Sequence, residues 1–376
     1  MPPVSVITGI SGQDGSYLSE QILGDTPDAI VIGMVRRTSA NNFRERIEAL
    51  ERHPRVRLVY ADMTDATSIR RILDTAVALA GAIGWIDVYN LAAQSHVKIS
   101  FDTPLYTAET DAIGVLSVLD TILHYPEDIR ERFRFYQAST SEMFGSSAAP
   151  QNEDTPFHPR SPYGVAKLYA HWIVRNYRES YGLKACSGIL FNHESPRRGR
   201  NFVTRKVTQA VARYAANRDT ATPVAVGNLE ARRDWGFAPD YVRAMRLMIS
   251  ALSAAPAPAP ASDPDFVIST GVSHTIRELI EIAFAVIGVG VRWDGTGLAE
   301  RGLDVATGVV LVTIDQRYFR PAEVEDLLGD STRARQCLGW QPTITFREMI
   351  AKMVYSDIAE FSHGHDQATT THSEMV

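Results

Sequence analysis

Short runs of β-branched and apolar residues recur through the first half of the chain, and each is followed by a longer segment whose apolar positions return every three or four residues. A compact apolar run reads as a strand, and the longer return reads as the buried stripe of a helix. The pattern predicts strands at Val4–Thr8, Ala29–Val35, Val56–Tyr60, Val88–Leu91, Arg134–Ala138 and Ala185–Leu190. Helices are expected between them, most plainly over Ser16–Leu23, Ala66–Leu79, Gly114–Leu123 and Tyr163–Tyr181. Strands without a polar face that alternate with helices belong to a parallel sheet covered on both sides, so the expected class is α/β with a doubly wound parallel sheet.

Beyond Leu190 the regularity falls. A basic stretch, Pro196–Lys206, overlaps an expected helix at Thr204–Ala216 and is followed by the charged segment Gly227–Asp234, which together read as a smaller substrate-binding part. A helix at Asp240–Leu252 and a strand at Asp265–Ser269 are expected to return to the main sheet, which makes the second domain discontinuous. The expected division is 1–190 with 238–272 for the sheet domain and 191–237 with 273–361 for a smaller α/β domain. Between them Ala254–Ala261 alternates Ala and Pro, a composition that favours extended polyproline II backbone and reads as a surface loop. It lacks the Pro-x-x-Pro core with basic flanks that a docking ligand would carry. From Ser362 the chain is polar, rich in His and Thr and without periodicity, so 362–376 is expected to be an irregular tail.

Charge narrows the partners. The formal net charge of -6 argues against nucleic acid, because duplex binding requires a basic surface that releases counterions. The two cysteines, Cys186 and Cys337, are far apart in sequence and in no ligand spacing, so neither a disulfide framework nor a metal site is expected and a reducing compartment fits. The opening Met-Pro-Pro enters a strand at Val4 without the charged and apolar regions of a secretory leader, and no uncharged stretch is long enough to span a bilayer. A cytoplasmic location without membrane partners is the expectation.

The first strand runs into Gly9-Ile10-Ser11-Gly12-Gln13-Asp14-Gly15 and then a helix. A glycine-rich turn at a strand–helix junction lets backbone amides approach a pyrophosphate, whose charge the helix N-terminus favours, so Gly9, Gly12, Gln13, Asp14 and Gly15 are candidate dinucleotide-binding residues of a Rossmann-type sheet. At the end of the second strand stand Arg36 and Arg37 where a carboxylate would accept from a ribose 2′-hydroxyl. Arginine there suits a 2′-phosphate, which favours NADP over NAD, with Arg37 the readier of the two to be a plain solvated residue.

The fifth strand ends in Ser139-Thr140-Ser141-Glu142 at the carboxyl edge of the sheet, and strand alternation would put Thr140 and Glu142 on one side. Downstream, Tyr163 and Lys167 stand four apart on a helix and share a face. A neighbouring ammonium favours the phenolate, so Tyr163 is a candidate base. A Tyr-x-x-x-Lys pair alone is common in long helices; a glycine turn, a Ser-Thr-Ser-Glu strand end and that pair, in this order, resemble the extended short-chain dehydrogenase/reductase family. Gly9–Tyr17, Asn90–Phe101, Tyr136–Glu142, Pro159–Lys167 and Gly188–Arg198 narrow the resemblance to the GDP-mannose 4,6-dehydratase family within it. Asn201–Lys206, Arg233–Gly236 and Phe319–Val324 are similar as well, so the resemblance covers about residues 4 to 355.

The resemblance implies GDP-mannose as substrate and an internal redox cycle. Tyr163 would take the 4-hydroxyl proton while hydride leaves C4 for NADP, Glu142 would remove the C5 proton, the 6-hydroxyl would leave as water, and the hydride would return to C6. Thr140 would bond the C4 oxygen, and Lys167 would orient the cofactor ribose as well as bias Tyr163. Further correspondences put Asp62, Met63, Leu91, Ala93, Ser95 and Tyr106 against the cofactor, with His193 and Arg198 on its nicotinamide side; on spacing alone the lesser alternative for His193 is a satisfied core histidine. Asn192, Lys206, Arg233, Arg320 and Glu323 match substrate positions, where arginine forks suit phosphate oxygens. The family forms homodimers or homotetramers, and Arg36–Arg46 is the segment expected to reach a neighbouring subunit. The chain departs from the family in a short loop between Gly145 and Thr155, in Phe237 where histidine is usual and in the Ala-Pro insertion. Alternatives are a dehydratase or 4-epimerase for another nucleotide sugar, the latter with no use for Glu142, and a non-catalytic NADP-binding regulator.

Overall fold

The computed structural model describes residues 3–37, 44–218, 221–254, 263–319, 324 and 326–373. Six strands follow one another as the alternating pattern requires: β1 (Val4–Thr8), β2 (Ile30–Val35), β3 (Val56–Tyr60), β4 (Ile86–Asn90), β5 (Phe133–Thr140) and β6 (Ala185–Leu190). With the strand Phe266–Ile268 they form one seven-stranded sheet in the order Phe266–Ile268, β6, β5, β4, β1, β2, β3, every neighbouring pair parallel. The order reverses between β1 and β4, the place where open parallel sheets take ligands at their carboxyl edge. β5 outlasts its expected end at Ala138 because Ser139 and Thr140 still pair with Ile189 and Leu190 of β6.

Adjacent residues of the strands go to different cores. Ile32, Val88, Phe135 and Ala185 enter one buried cluster, and their sequence neighbours Val31, Tyr89, Tyr136 and Cys186 enter another. That is the period of two in a sheet covered on both faces. The helix Ala66–Ala80 shows how the covering elements are set: Asp65 caps it by accepting from the Thr67 N–H, and Ile69, Ile72, Leu73, Ala76 and Ala80 form its buried stripe. The helix Pro162–Tyr181 has Pro at its first turn, Ser161 accepting from the Gly164 N–H, and Gly182 in the left-handed conformation at its end.

The chain divides into two compact units, one comprising Met1–His193, Ala238–Gly271 and Leu327–Pro342, the other Glu194–Phe237, Val272–Asp326 and Thr343–Val376. The return of Phe266–Ile268 to the sheet agrees with expectation. The assignment of all of 273–361 to the smaller domain does not, because Leu327–Pro342 belongs to the sheet unit. The reason is Trp340, whose fully buried ring lies edge-on to Tyr241 and whose indole N–H donates to Asp240 O at 2.7 Å. Burying one such ring removes on the order of 200 Å² from water, enough to draw its segment back.

The second unit has its own core, with Val207, Val211, Leu279, Phe284, Val312, Ile350 and Met353 buried together. Its helices are Val203–Ala216, Ile276–Ala285 and Phe346–Ser373, and its four-stranded sheet runs Val291–Asp294, Arg301–Asp304, Val310–Ile314, Val224–Val226. Contrary to the irregular tail expected from Ser362, the last helix continues to Ser373. Extending a helix fixes one residue per hydrogen bond whereas starting one fixes three, so a helix already anchored by Met349, Ile350 and Met353 carries polar residues of weak propensity. The Ala-Pro stretch from 255 onward lies outside the described residues. Cys186 is buried, Cys337 is exposed, and both are free; among the described residues no helix is long and apolar enough to cross a membrane.

Candidate active site

The glycine turn is built to bring backbone close. Gly9 sits at φ 72, and a Cβ there would lie 3.0 Å from the backbone of Ala92. The Gly12 N–H donates to Gly9 O at 2.9 Å, and helix α1 (Gln13–Asp25) starts with Gly12, which has no side chain, as its cap. A Cβ on Gly15 would lie 2.5 Å from Gly9 O and 2.6 Å from Ile10 Cα. The turn is therefore a tight glycine-built backbone bend at the positive end of a helix, which fits the pyrophosphate of a dinucleotide.

The side chains of Gln13 and Asp14 do other work. Gln13 Nε2 donates to His193 O at 3.1 Å, and Asp14 Oδ2 meets His193 Nε2 at 2.9 Å. His193 Nδ1 lies 2.7 Å from Phe191 O, and the ring stacks on Tyr241 with centroids 4.5 Å apart. These contacts hold the glycine turn against the end of β6, a tie that nothing in the local pattern announces.

The other expected cofactor residues lie at the carboxyl ends of β2, β3 and β4 and on the helix that follows. Arg36 donates to the Tyr106 hydroxyl and has its guanidinium 5.7 Å from that ring's centroid, while Arg37 is exposed. Asp62 Oδ1 accepts from Thr64 N and Oγ1 at 3.0 and 2.9 Å, and Met63 is buried against Gly114. The Leu91 and Ala92 amides both donate to Thr8 Oγ1, whose hydroxyl donates to Asn90 Oδ1 at 2.8 Å. Asn90 Nδ2 continues to Gln137 Oε1 at 2.8 Å. This buried ladder of Thr8, Asn90 and Gln137 was not singled out in the sequence, although three adjacent strands each carrying a polar residue near the carboxyl end is the signal. Ala93 and Ser95 follow in the loop after β4.

The expected catalytic residues meet at one strand end. Thr140 closes β5 and Glu142 lies in a 3-10 turn, Ser141–Met143, so strand alternation does not relate them; instead the Glu142 N–H donates to Thr140 Oγ1 at 3.2 Å. Gly164 lets the start of the helix Pro162–Tyr181 lie against the turn, since a Cβ there would be 2.8 Å from Glu142 O. Along that helix Tyr163 and Lys167 are both buried, with Lys167 Nζ 5.9 Å from the Tyr163 ring centroid and donating to Ala138 O at 3.0 Å. Burial pushes the Lys167 ammonium below its ordinary pKa, and the charge of Asp111 opposes the shift.

Three expected residues are engaged elsewhere or lie outside the described residues. Arg198 ion-pairs with Glu194 at 3.1 Å without hydrogen-bond alignment and lies over Phe202 at 3.7 Å. Arg320 and Glu323 lie outside the described residues. Of the remaining substrate positions, Asn192 has a buried Oδ1 with no hydrogen-bond partner among the described residues. In the second unit Lys206 Nζ lies 3.9 Å from the Tyr318 ring centroid, and buried Arg233 donates to Arg232 O and Val324 O at 2.7 and 2.8 Å.

A model of the GDP-mannose 4,6 dehydratase family matches residues 6–353. A GDP-mannose 4,6-dehydratase of Sinorhizobium fredii is 48% identical over 362 residues, covering 95% of this chain and 97% of its own. A GDP-mannose 4,6 dehydratase of Drosophila melanogaster is 47% identical over 362 residues, covering 94% and 86%. Among solved structures, the dTDP-glucose 4,6-dehydratase DesIV of Streptomyces venezuelae, crystallised with NAD and TYD, has a TM-score of 0.73 at 22% identity, covering 94% of this chain and 96% of its own.

Gly15→Ala tests the cradle. The added methyl meets backbone rather than a movable side chain, so it is expected to cost about 1–3 kcal/mol and to weaken dinucleotide binding by roughly ten-fold or more, read by thermal melting and fluorescence titration. Unchanged binding would remove the turn from the site.

Proposed function

The chain belongs to the GDP-mannose 4,6-dehydratase family, and from that premise we propose that it is a hydro-lyase that works with bound NADP and divides its chemistry among Thr140, Glu142, Tyr163 and Lys167. GDP-mannose is its substrate, and the product is the 4-keto-6-deoxy sugar nucleotide. The observation that supports the assignment of roles is that Thr140 and Glu142 stand at the end of β5 while Tyr163 and Lys167 lie on the first turns of the helix whose start packs against the Glu142 backbone.

The bound nicotinamide supplies reversible storage of one hydride, so none is consumed over the cycle. The glycine cradle would hold its pyrophosphate, and Arg36 a 2′-phosphate. Tyr163 Oη receives the proton of the sugar 4-hydroxyl, helped by the Lys167 ammonium, which lowers the cost of a phenolate beside it. Thr140 Oγ1 already accepts from the Glu142 N–H, so its own hydroxyl proton remains for the C4 oxygen. Once C4 is a ketone, the proton on C5 is acidic, and the Glu142 carboxylate removes it and, now protonated, gives that proton to the departing 6-hydroxyl, which leaves as water. A carboxylate at this place is what elimination needs and epimerisation does not.

We also read the protein as a cytoplasmic homo-oligomer. Val165, Tyr169 and Trp172 stand exposed at spacings of four and three on one face of the helix Pro162–Tyr181, and Leu105 and Ile113 are exposed at 72% and 53%. An apolar stripe of this kind on a helix supports a subunit interface.

With GDP-mannose and catalytic NADP, mass spectrometry is expected to record loss of one water, slowed by roughly 100-fold or more in Glu142→Gln; unchanged mass in the parent protein would return the substrate to question. For Arg36→Ala the expected outcome is NADP affinity weakened by about ten-fold with NAD affinity unaltered, and an unaltered NADP affinity would sink the 2′-phosphate reading. Light scattering is expected to give a dimer or larger, shifted toward monomer in Trp172→Asp; a monomeric parent protein would contradict the interface, and cell fractionation reads the location.

A further inference from the structure

Thr140, Tyr163 and Lys167 are each carried by a regular element, and Glu142 is not. Thr140 still pairs with Leu190 in the sheet, and Tyr163 and Lys167 stand on the helix Pro162–Tyr181. Glu142 has left the ladder, and the turn Ser141–Met143 that carries it opens the loop that runs to Ser161. Groups on loops are less precisely held than groups on strands and helices, so whatever fixes this loop decides where the carboxylate lies.

Gln151 clasps the loop to a distant part of the chain. It is fully buried beside exposed Pro150, an uncommon place for an amide side chain. Its Nε2 donates to Ser147 O at 3.0 Å and its Oε1 accepts from the Leu328 N–H at 3.1 Å, so one side chain spans two stretches of backbone. Its own N–H donates to Leu328 O at 2.8 Å, and its carbonyl accepts from the Asp330 N–H at 2.8 Å. The bridge so formed is to Gly329, where a Cβ would collide with Ser269 and with the Phe191 ring. Ser331 Oγ donates to Ser269 O at 2.9 Å, which seats the same segment just beyond the strand Phe266–Ile268.

From the clasp the path back to Glu142 is short. Ser147, whose carbonyl Gln151 holds, donates its N–H to Phe144 O at 3.0 Å and its hydroxyl to Pro156 O at 2.6 Å. The His158 N–H donates to Met143 O at 3.0 Å, and the Ser146 N–H to His158 O at 3.2 Å. The two arms of the loop thus close on each other immediately beyond Glu142. We propose that Gln151 is a positioning residue for the elimination: its amide, through Ser147 and the closed loop, holds the Glu142 carboxylate where it meets the C5 hydrogen. The inference rests on the reading of Glu142 as the base given above.

Such a clasp bears on one step of the cycle more than on the others. Oxidation at C4 uses Thr140, Tyr163 and Lys167, which the strand and the helix hold without Gln151. Removal of the C5 proton uses Glu142, whose turn the loop holds. Loosening the clasp slows elimination and leaves oxidation at C4 as it was, and a displacement on the order of 1 Å is enough to cost up to about 100-fold in rate. The step that becomes slow is the one whose isotope effect shows in kcat. A clasp that served the fold alone would instead lower the number of active molecules and leave the balance of steps in each unchanged.

Gln151→Met keeps the length of the side chain and removes both of its hydrogen bonds. In the NADP-loaded protein, kcat for GDP-mannose is expected to fall by roughly ten-fold or more with KM within about two-fold of the parent's. With GDP-mannose deuterated at C5 or at C4, the isotope effect at C5 on kcat is expected to grow and that at C4 to shrink. Ser147→Ala, which removes only the bond to Pro156, is expected to move both in the same direction with kcat lowered about two-fold, and it decides the question if Gln151→Met does not fold. Isotope effects that stay at the parent's values in the deciding variant, or a KM raised about ten-fold with kcat unchanged, overturn the role of Gln151. Glu142→Gln tests the reading beneath it: if that variant dehydrates GDP-mannose at the parent rate, the role of Glu142 falls, and if it is slowed while Gln151→Met behaves as the parent, only the role of Gln151 does.

Discussion

A buried ammonium must be hydrogen-bonded and matched in charge, and Lys167 is where the sheet, the helix beside it and the chemistry all answer to that requirement. Its bond to Ala138 O ties the helix Pro162–Tyr181 to the carbonyl row of β5 two residues before Thr140. That tie sets the height of the helix, and with it Tyr163, relative to the strand end. Gly164 then allows the helix start to close on the Glu142 turn, where any side chain would collide with backbone. A shift of the helix by one turn, about 5.4 Å, would separate base, carboxylate and threonine together.

The same edge is held by polar rather than apolar contacts. Thr8, Asn90 and Gln137 link β1, β4 and β5 through buried hydrogen bonds, and His193 links the β6 end to Asp14 of the glycine turn. Apolar packing of the two cores stabilises the sheet but is tolerant of sliding, because dispersion has little direction. Hydrogen bonds have direction, so they fix the strand ends against one another to the precision that a reaction at several atoms demands.

Much of this was legible along the chain. β1, β3 and β6 agree with their expected bounds, and β1 and β6 are buried along their whole length whereas β3, at the sheet edge, is not. The glycine turn was legible because its requirements are local, as was the pairing of Tyr163 with Lys167, which needs only helical spacing. Strand alternation does not relate Thr140 and Glu142, because Glu142 has left the strand, and a backbone bond to Thr140 Oγ1 joins them instead.

The sequence by itself determined the alternation of strands and helices, the cradle for a dinucleotide and the residue types at the strand ends, because each depends on neighbours within one or two turns of chain. Tertiary structure alone decided that Leu327–Pro342 joins the sheet unit and that Asp14 meets His193. Each of those joins residues far apart along the chain through burial or charge, and such energies depend on distance in space, which periodicity does not encode.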